Sequence, residues 1–498
     1  MFSFGCNSDI SPIEIELDEL TVSQIHQDYK DGKYNSQELI LAYTKRIEVY
    51  NEQINAISVV NPEAVSVAKK LDEEFKSTGK LRPLHGIPLL VKDNINTETL
   101  PTTGGSLALK DFVAGEDAFI IQRLKEAGAI ILAKTNMAEW AFSPMHSESS
   151  THGTTRNPYN LDHVPAGSSG GTGAAMAANM GVIGLGTDTG NSIRGPSSHG
   201  ALVGFRSTLG LVSRSGIIPL YLRNDVAGPM CRTVEDATRV LEVIAGYDPL
   251  DPLTKYGEKE ASSNYHQYLD ANGLQGARIG VLRRVRDEDP DPEIKTLFDQ
   301  ALIDMKQKGA VVIDEVDVPD FDSLKQDQWC ADFRKDLEEY LATYVKNDTI
   351  KTLEDIIRIG TKSEYTRSRL ARNAENKERW DDKDLECMDV YNDVRRIAFR
   401  EAVENTMDSL QLDAMVYPTW NFKPARIDRF SEEYKGDNNQ VISPHTGQPA
   451  FTVPMGFTEG NLPAGIQFLG RMYSEPTLIK MAYAYEQATM HRKPPVLK

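Results

Sequence analysis

The chain has little cysteine, and the cysteines it has form no pattern. Cys6, Cys231, Cys330 and Cys387 lie far apart in 498 residues, with no CxxC pair and no histidine at metal-ligand spacing. Neither a zinc site nor a disulfide framework is expected, and all four read as free thiols. No apolar run is long enough to span a bilayer; the nearest approach, Gly173 to Gly186, is rich in Gly and Ala and is interrupted by Asn179. No long basic run offsets the formal net charge of -18, which argues against a nucleic-acid or anionic-membrane surface and for a small-molecule partner. There is no repeat of fixed period and no decisive linker. The opening residues, MFSFGC, admit two readings. An ordinary frayed terminus leaves the protein cytoplasmic by default; a trimmed lipoprotein signal ending at Cys6 places it in the cell envelope or periplasm.

What is abundant is a concentration of small residues and hydroxyls from Gly167 to Gly204, GSSGGTGAAMAANMGVIGLGTDTGNSIRGPSSHGALVG. Small side chains let backbone come close to a ligand, at an entropic cost that a decorative stretch would not bear. Charge is sparse here, with Asp188 before Ser192 and Arg194 after it.

Around this centre the apolar periodicity alternates between helix and strand. Leu20 to Tyr50 predicts two helices, the second starting near Ser36 with Glu38 close behind, and Asn61 to Lys76 a third. LHGIPLLVKDN is a short strand ending at Lys92, DAFIIQRLKEAGA a helix stopped near Gly128, and IILAKTN a buried strand. The alternation recurs in GARIGVL, IKTLFDQALIDMKQKGA and VVIDEVDV, and the chain closes with strands in LDAMVYPTW, GQPAFTVPMGF and PAGIQFLGR and a helix from Glu475 to Thr489. This is the pattern of an α/β sheet covered by helices on both faces. Between Phe321 and about Tyr434 the sequence is charged and helical, with Trp329 and Trp380 as isolated aromatic anchors. It reads as an elaboration near the substrate entrance.

A serine hydroxyl needs a base to become a nucleophile. His199 is the histidine nearest the centre, although a buried histidine in a supporting layer is the commoner case. GSSGG matches the GxSxG elbow with Ser169 in the middle, but NLDHVPA rather than an apolar strand precedes it. The other route is a serine and lysine pair. Lys92 closes a hydrophobic run, where desolvation lowers a lysine pKa, and Asp93 and Asn94 supply polar neighbours. Against this stands the ordinary lysine whose stem covers a core. A glycine-rich phosphate or nucleotide loop is a rival of another class, but no GxxxxGK[ST] or GxGxxG occurs there. Trp140 and Phe142 read as core in preference to a substrate platform, and Met145 stands open between the same two roles.

Taken together, GIPLLVKDN, PAGSSGGTGAAMAA, GTDTGNSIRGPSS, DVAGPMCRTVED and GQPAFTVPMGFTEGNLPAGIQFLGR resemble the amidase signature family of serine amidohydrolases. The resemblance runs with gaps from about Leu20 to the C-terminus and is weakest over 321–434. It implies the amidase signature fold, a central mixed twisted β-sheet covered by helices on both faces. The N-terminal 1–80 would be a helical scaffold packed on a domain of 81–498, the whole forming one continuous globular unit. It also implies Ser192 as nucleophile, Ser168 after a cis peptide as proton relay, Lys92 as base, and an oxyanion hole from Thr189, Gly190, Asn191 and Ser192. Ser169, Asp188 and Arg194 are supporting candidates. Asp188 and Arg194 would hold the loop, the favoured role, or Arg194 would meet an anionic substrate. The resemblance calls for no cofactor and no metal, and for a small-molecule amide as substrate, with a homodimer left open. A closer rival within the family is the glutaminase component of a tRNA-dependent amidotransferase. Asn191 departs from the family's usual glycine; asparagine tolerates positive φ, and its side chain would narrow or polarise the site.

Overall fold

The computed structural model describes residues 15–286, 289–329, 332–346, 349–375 and 387–497; the readings of MFSFGC, Cys330 and Trp380 lie outside them. The N-terminal helices form where capping chemistry begins them. Thr21 caps α1 (Val22–Asp31) and Gly32 ends it in the left-handed region, while Asn35 and Glu38 close a capping box on α2 (Ser36–Ile54). A short strand, β1 (Ile57–Val60), follows before α3 (Ala64–Thr78). The periodicity does not single out β1, because four apolar residues between two helices are too few to show a period. Nevertheless it forms the edge of the main sheet.

That sheet has eleven strands. Its first half contains β1, β2 (Pro88–Lys92) and β3 (Ile130–Thr135), then β6 (Ile183–Asp188), β7 (Val203–Arg206) and β8 (Val226–Cys231), with β4 (Glu148–Ser149) and β5 (Gly153–Thr154) forming a separate hairpin. The second half contains β9 (Arg278–Val281), β10 (Val311–Ile313), β11 (Ala414–Pro418), β12 (Ala450–Phe457) and β13 (Pro463–Leu469). The spatial order is β1-β3-β2-β6-β8-β7-β12-β13-β11-β9-β10. β3, β2 and β6 run parallel, as do β11, β9 and β10, and the strands between β6 and β11 pair antiparallel. The sheet is therefore mixed, and helices flank it. α5 (Gly170–Ala177) and α6 (Arg194–His199) pack together on it; α4 (Phe119–Glu126), α7 (Val234–Ile244) and the helices Pro292–Gln307 and Glu475–Thr489 form a second packed group.

Two sequence readings change in detail. VVIDEVDV is a strand only over Val311–Ile313, since β10 is an edge strand and Asp314 turns to an ion pair with Arg283 at 2.7 Å. The strand read in LDAMVYPTW is β11, which lies at the end of the charged stretch and is buried at all five positions between β13 and β9. Cys231 is a buried free thiol, but Cys387 is disulfide-bonded, which corrects the reading of all four cysteines as free. A disulfide depends on Cα atoms about 5.5 Å apart, and separation along the chain does not reveal that. Among the described residues no helix is long and apolar enough to cross a membrane.

Candidate active site

The small residues of the centre are what allow its elements to touch. A Cβ on Gly171 would collide with the backbone of Asn136, and one on Gly167 with the carbonyls of Ser143 and His146. α5 is buried at all eight positions although it is only GGTGAAMA, so it sits against the sheet at backbone distance. This places the turn Gly167 to Ser169 over the ends of β2 and β6. The Gly167–Ser168 peptide is cis.

Lys92, the last residue of β2, is fully buried there. Its Nζ lies 2.7 Å from Ser168 Oγ, 2.8 Å from Thr187 Oγ1 and 3.4 Å from the Thr187 carbonyl. Thr187 Oγ1 also accepts from Asn94 Nδ2 at 3.1 Å. Burial pulls the Lys92 ammonium down to about 7, against the opposing pull of the Asp225 and Asp188 charges. Asp93 faces elsewhere: it accepts from the backbone and hydroxyl of Thr103 and lies 3.8 Å from Lys134.

Ser192 follows the end of β6, in a loop braced from below. Asp188, fully buried, accepts from Arg194 Nε at 3.0 Å, from Arg206 Nη1 at 3.0 Å and from the Ile193 amide at 3.2 Å. Burial would raise its carboxyl, but the Arg194 and Arg206 charges overcome that and hold it at about 2. Arg194 Nη2 continues to the carbonyls of Gly190, at 2.7 Å, and Asn439, at 3.1 Å. Arg194 thus occupies the loop-holding position rather than the cavity wall. Thr189 Oγ1 donates to Asp225 Oδ1 at 2.5 Å, and Asp225 also accepts the amides of Leu220 and Tyr221. Ser169 Oγ donates to the Thr187 carbonyl at 3.1 Å, tying the turn to β6.

With the loop held this way, the backbone N–H groups of Thr189, Gly190, Asn191 and Ser192 donate to no acceptor among the described residues. Buried amides are ordinarily paired, and the four residues carrying these ones line the cavity at Ser192. Ser192 Oγ points toward Asn191 Oδ1 at 3.4 Å, a long and weak contact, and makes no hydrogen bond to Ser168. The Asn191 carboxamide is itself anchored, its Nδ2 donating to the Pro144 carbonyl at 3.2 Å.

His199 takes no part in this arrangement. It is buried with both ring nitrogens unpartnered, packs 4.7 Å from the Trp420 ring, and burial lowers it to about 3. Trp140 is core, packed edge-on against Phe333, whereas Phe142 is both core and cavity wall. The sequence pattern does not point to Thr187, Arg206 or Asp225. DVAGP contains Asp225, but nothing local ties it to Thr189, 36 residues earlier in the chain.

Ser192 and its loop form the floor of an open cavity of about 490 Å³. Phe142, Tyr221, Trp329, Tyr365 and Tyr434 supply its aromatic walls, so the charged stretch 321–434 lines one side of the entrance. Arg286, Arg369 and Arg372 stand around it as well.

A family model described as Amidase matches residues 38–479. Among curated proteins, a "Probable amidase" of Arabidopsis thaliana is 33% identical over 502 residues, covering 96% of this chain and 92% of that one. The A component of the glutamyl-tRNA(Gln) amidotransferase of Dehalococcoides mccartyi (strain CBDB1) is 32% identical over 502 residues, covering 97% and 100%. Among solved structures, the native peptide amidase of Stenotrophomonas maltophilia superposes with a TM-score of 0.82 at 35% identity, covering 96% of this chain and 99% of that one.

Proposed function

Since this chain belongs to the amidase signature family and is an amide-hydrolysing enzyme, we propose that it cleaves the C–N bond through an acyl-enzyme on Ser192, with Lys92 as base and Ser168 as relay. The observation that carries this reading is the 2.7 Å contact between Ser168 Oγ and a fully buried lysine lowered to about 7. A neutral amine has two protons and one lone pair. Thr187 offers two acceptors, its hydroxyl and its carbonyl, so the lone pair is left for the Ser168 proton.

Closing the relay requires one rotation, in which the Ser192 hydroxyl leaves Asn191 Oδ1 for Ser168. As Ser192 Oγ attacks the carbonyl carbon, its proton passes to Ser168, and the Ser168 proton to Lys92, which becomes the ammonium. The oxyanion formed is received by the free amides of residues 189–192, each such donor being worth about 10²–10³ in rate. Reversal of the relay protonates the departing nitrogen; the C–N bond breaks and the amine leaves. Water, deprotonated along the same path, then releases the acid and restores Ser192.

Intact-mass analysis with a fluorophosphonate probe, alongside hydrolysis of a primary-amide panel, tests this assignment. One adduct on the wild type, absent from Ser192→Ala together with an activity loss of about 10⁴-fold or more, is expected. Labelling and turnover that persist in Ser192→Ala rule the nucleophile out.

A second reading is favoured by the 32% identity along the full length of an amidotransferase component. In it the chain releases ammonia from glutamine as part of a complex. Turnover of glutamine only on adding the other components would select it; turnover of other amides by the purified chain selects the stand-alone amidase, with a small-molecule amide and no nucleic acid as its partner. Size-exclusion chromatography with light scattering decides whether that chain is a homodimer.

A further inference from the structure

The cavity above Ser192 carries positive charge that nothing in its wall neutralises. Arg369 and Arg372 project from the helix Glu364–Glu375, three residues apart and therefore on one face, and Arg286 reaches in from the loop after β9. No Asp or Glu is among the described residues lining the cavity, in a chain with 73 acidic and 55 basic residues. Among the described residues none of the three guanidiniums forms an ion pair. Arg369 makes one long hydrogen bond, from Nη2 to Tyr221 Oη at 3.4 Å; its guanidinium stands 5.9 Å from the centre of the Phe142 ring, and its Nε is buried without an acceptor. Arg286 donates its Nε to the Asp437 carbonyl at 3.0 Å. The Asp437 carboxylate, behind the wall, accepts from Tyr434, Asn439 and Gln440, and the Arg286 charge acts on it without forming an ion pair.

Elsewhere in the molecule Arg194 and Arg206 are matched to the Asp188 carboxylate and Arg214 to that of Asp251, while buried Arg232 and Arg396 give two or more of their donors to carbonyls and, for Arg396, the Asn224 side chain; the cavity arginines have neither kind of full complement. Three like charges around one half-enclosed space repel one another and are retained at a cost unless something anionic enters. A guanidinium fork matches a carboxylate in two parallel hydrogen bonds. Between this mouth and the floor serine lie aromatic walls suited to an apolar spacer, in a cavity of ordinary ligand size.

We propose that the substrates are amides bearing a carboxylate remote from the scissile bond, the carboxylate being held by Arg369 with Arg372 and Arg286 around it. This rests on the reading of Ser192 as the reacting residue at the cavity floor.

The test compares dicarboxylic acid monoamides of about four to eight carbons, lengths that such a cavity accommodates, with straight-chain primary amides of equal length. Each is used both as a substrate of the full-length protein and as a calorimetric ligand of Ser192→Ala. At the best length, kcat/KM is expected to favour the monoamide by about tenfold or more, and Ser192→Ala to bind it more tightly than its neutral counterpart by a similar factor. In Arg369→Gln, and in the double variant with the exposed Arg372→Gln, that preference collapses toward unity, chiefly through KM. Equal treatment of charged and neutral amides at every length, or a preference that survives the double variant, overturns the proposal. Hydrolysis of neutral amides without charge preference removes this inference alone. Tight, Arg369-dependent binding of a monoamide that the wild type does not hydrolyse removes the Ser192 mechanism and leaves the carboxylate site standing.

Discussion

Two sets of cations lie on either side of the Ser192 loop, and they are handled in opposite ways. Below it, Arg194 and Arg206 are 0% exposed and share the carboxylate of Asp188; above it, Arg286, Arg369 and Arg372 face the cavity with no carboxylate partner among the described residues. The lower set spends its donors on one carboxylate and on loop carbonyls, so it fixes backbone. The upper set commits one donor each of Arg286 and Arg369, to a carbonyl and a phenol, and no charge to a carboxylate, so an anionic partner has to come from outside. Lys92 lies between these cases: fully buried, unpaired, and for that reason lowered to about 7. Position alone does not make a cation structural or functional; what its protons and lone pairs are already committed to does.

The largest effect expected is from Lys92→Met. If Lys92 is the base proposed above, its removal should cost about 10⁴-fold or more in kcat/KM, while the fold survives because an apolar chain of similar length fills the site. Burial lowers Lys92 from 10.5 to about 7, so between those pH values the unfolded chain holds a proton that the folded chain has lost. Wild-type stability therefore gains from this residue as pH rises through the window, and urea unfolding of Lys92→Met should lack that gain. Parallel pH profiles for the two proteins would show that Lys92 is not the lowered group.

Asp188→Asn comes next. It leaves Arg194 and Arg206 buried without their counter-charge, for which about 3–5 kcal/mol of destabilisation is expected in chemical unfolding. A loss below about 1 kcal/mol would mean that the loop carbonyls alone hold the arginines. A third, milder effect is the pH dependence of the wild type. Only neutral Lys92 accepts a proton, so kcat/KM should fall about tenfold per unit below an apparent pKa of about 7. An acid limb centred near 4 would assign the base to a carboxylate.

The parts of this site legible in sequence are those whose local composition is improbable for any other reason. Ser168 and Ser192 sit in a run of small residues that a helix or strand has no need of, and Lys92 ends an apolar strand where a charge is out of place. The braces are different in kind. Arg206 ends a four-residue strand and meets Asp188 across 18 residues; Asp225 meets Thr189 across 36. Only the order of strands brings them together, β6 next to β8 and β8 next to β7, and that order is not written in any local pattern. The same holds for the edge strand β1 and for the disulfide of Cys387. Arg369 and Arg372 are hidden for another reason: a charged helical stretch is ordinarily a solvated face, and nothing in it shows that one side lines a cavity. Asn191 is visible as a departure from glycine. Its carboxamide, bonded to the Pro144 carbonyl, lies 3.4 Å from Ser192 Oγ at the cavity wall.

The smallest expected effect separates the two sets of cations most cleanly. Arg372 is exposed and partnerless among the described residues, beside two other cavity cations. Arg372→Gln removes a like charge from that cluster and breaks no hydrogen bond, so the free energy of unfolding should stay within about 0.5 kcal/mol of wild type. Relief of repulsion predicts that any residual change is stabilising and shrinks as salt is added, since exposed charges are screened over about 10 Å at 0.1 M. A brace behaves in the reverse way. If Arg372→Gln destabilised the protein by more than about 1 kcal/mol, the mouth arginines would be holding the helix Glu364–Glu375 in place, and the division between committed cations below the loop and free ones above it would no longer describe this enzyme.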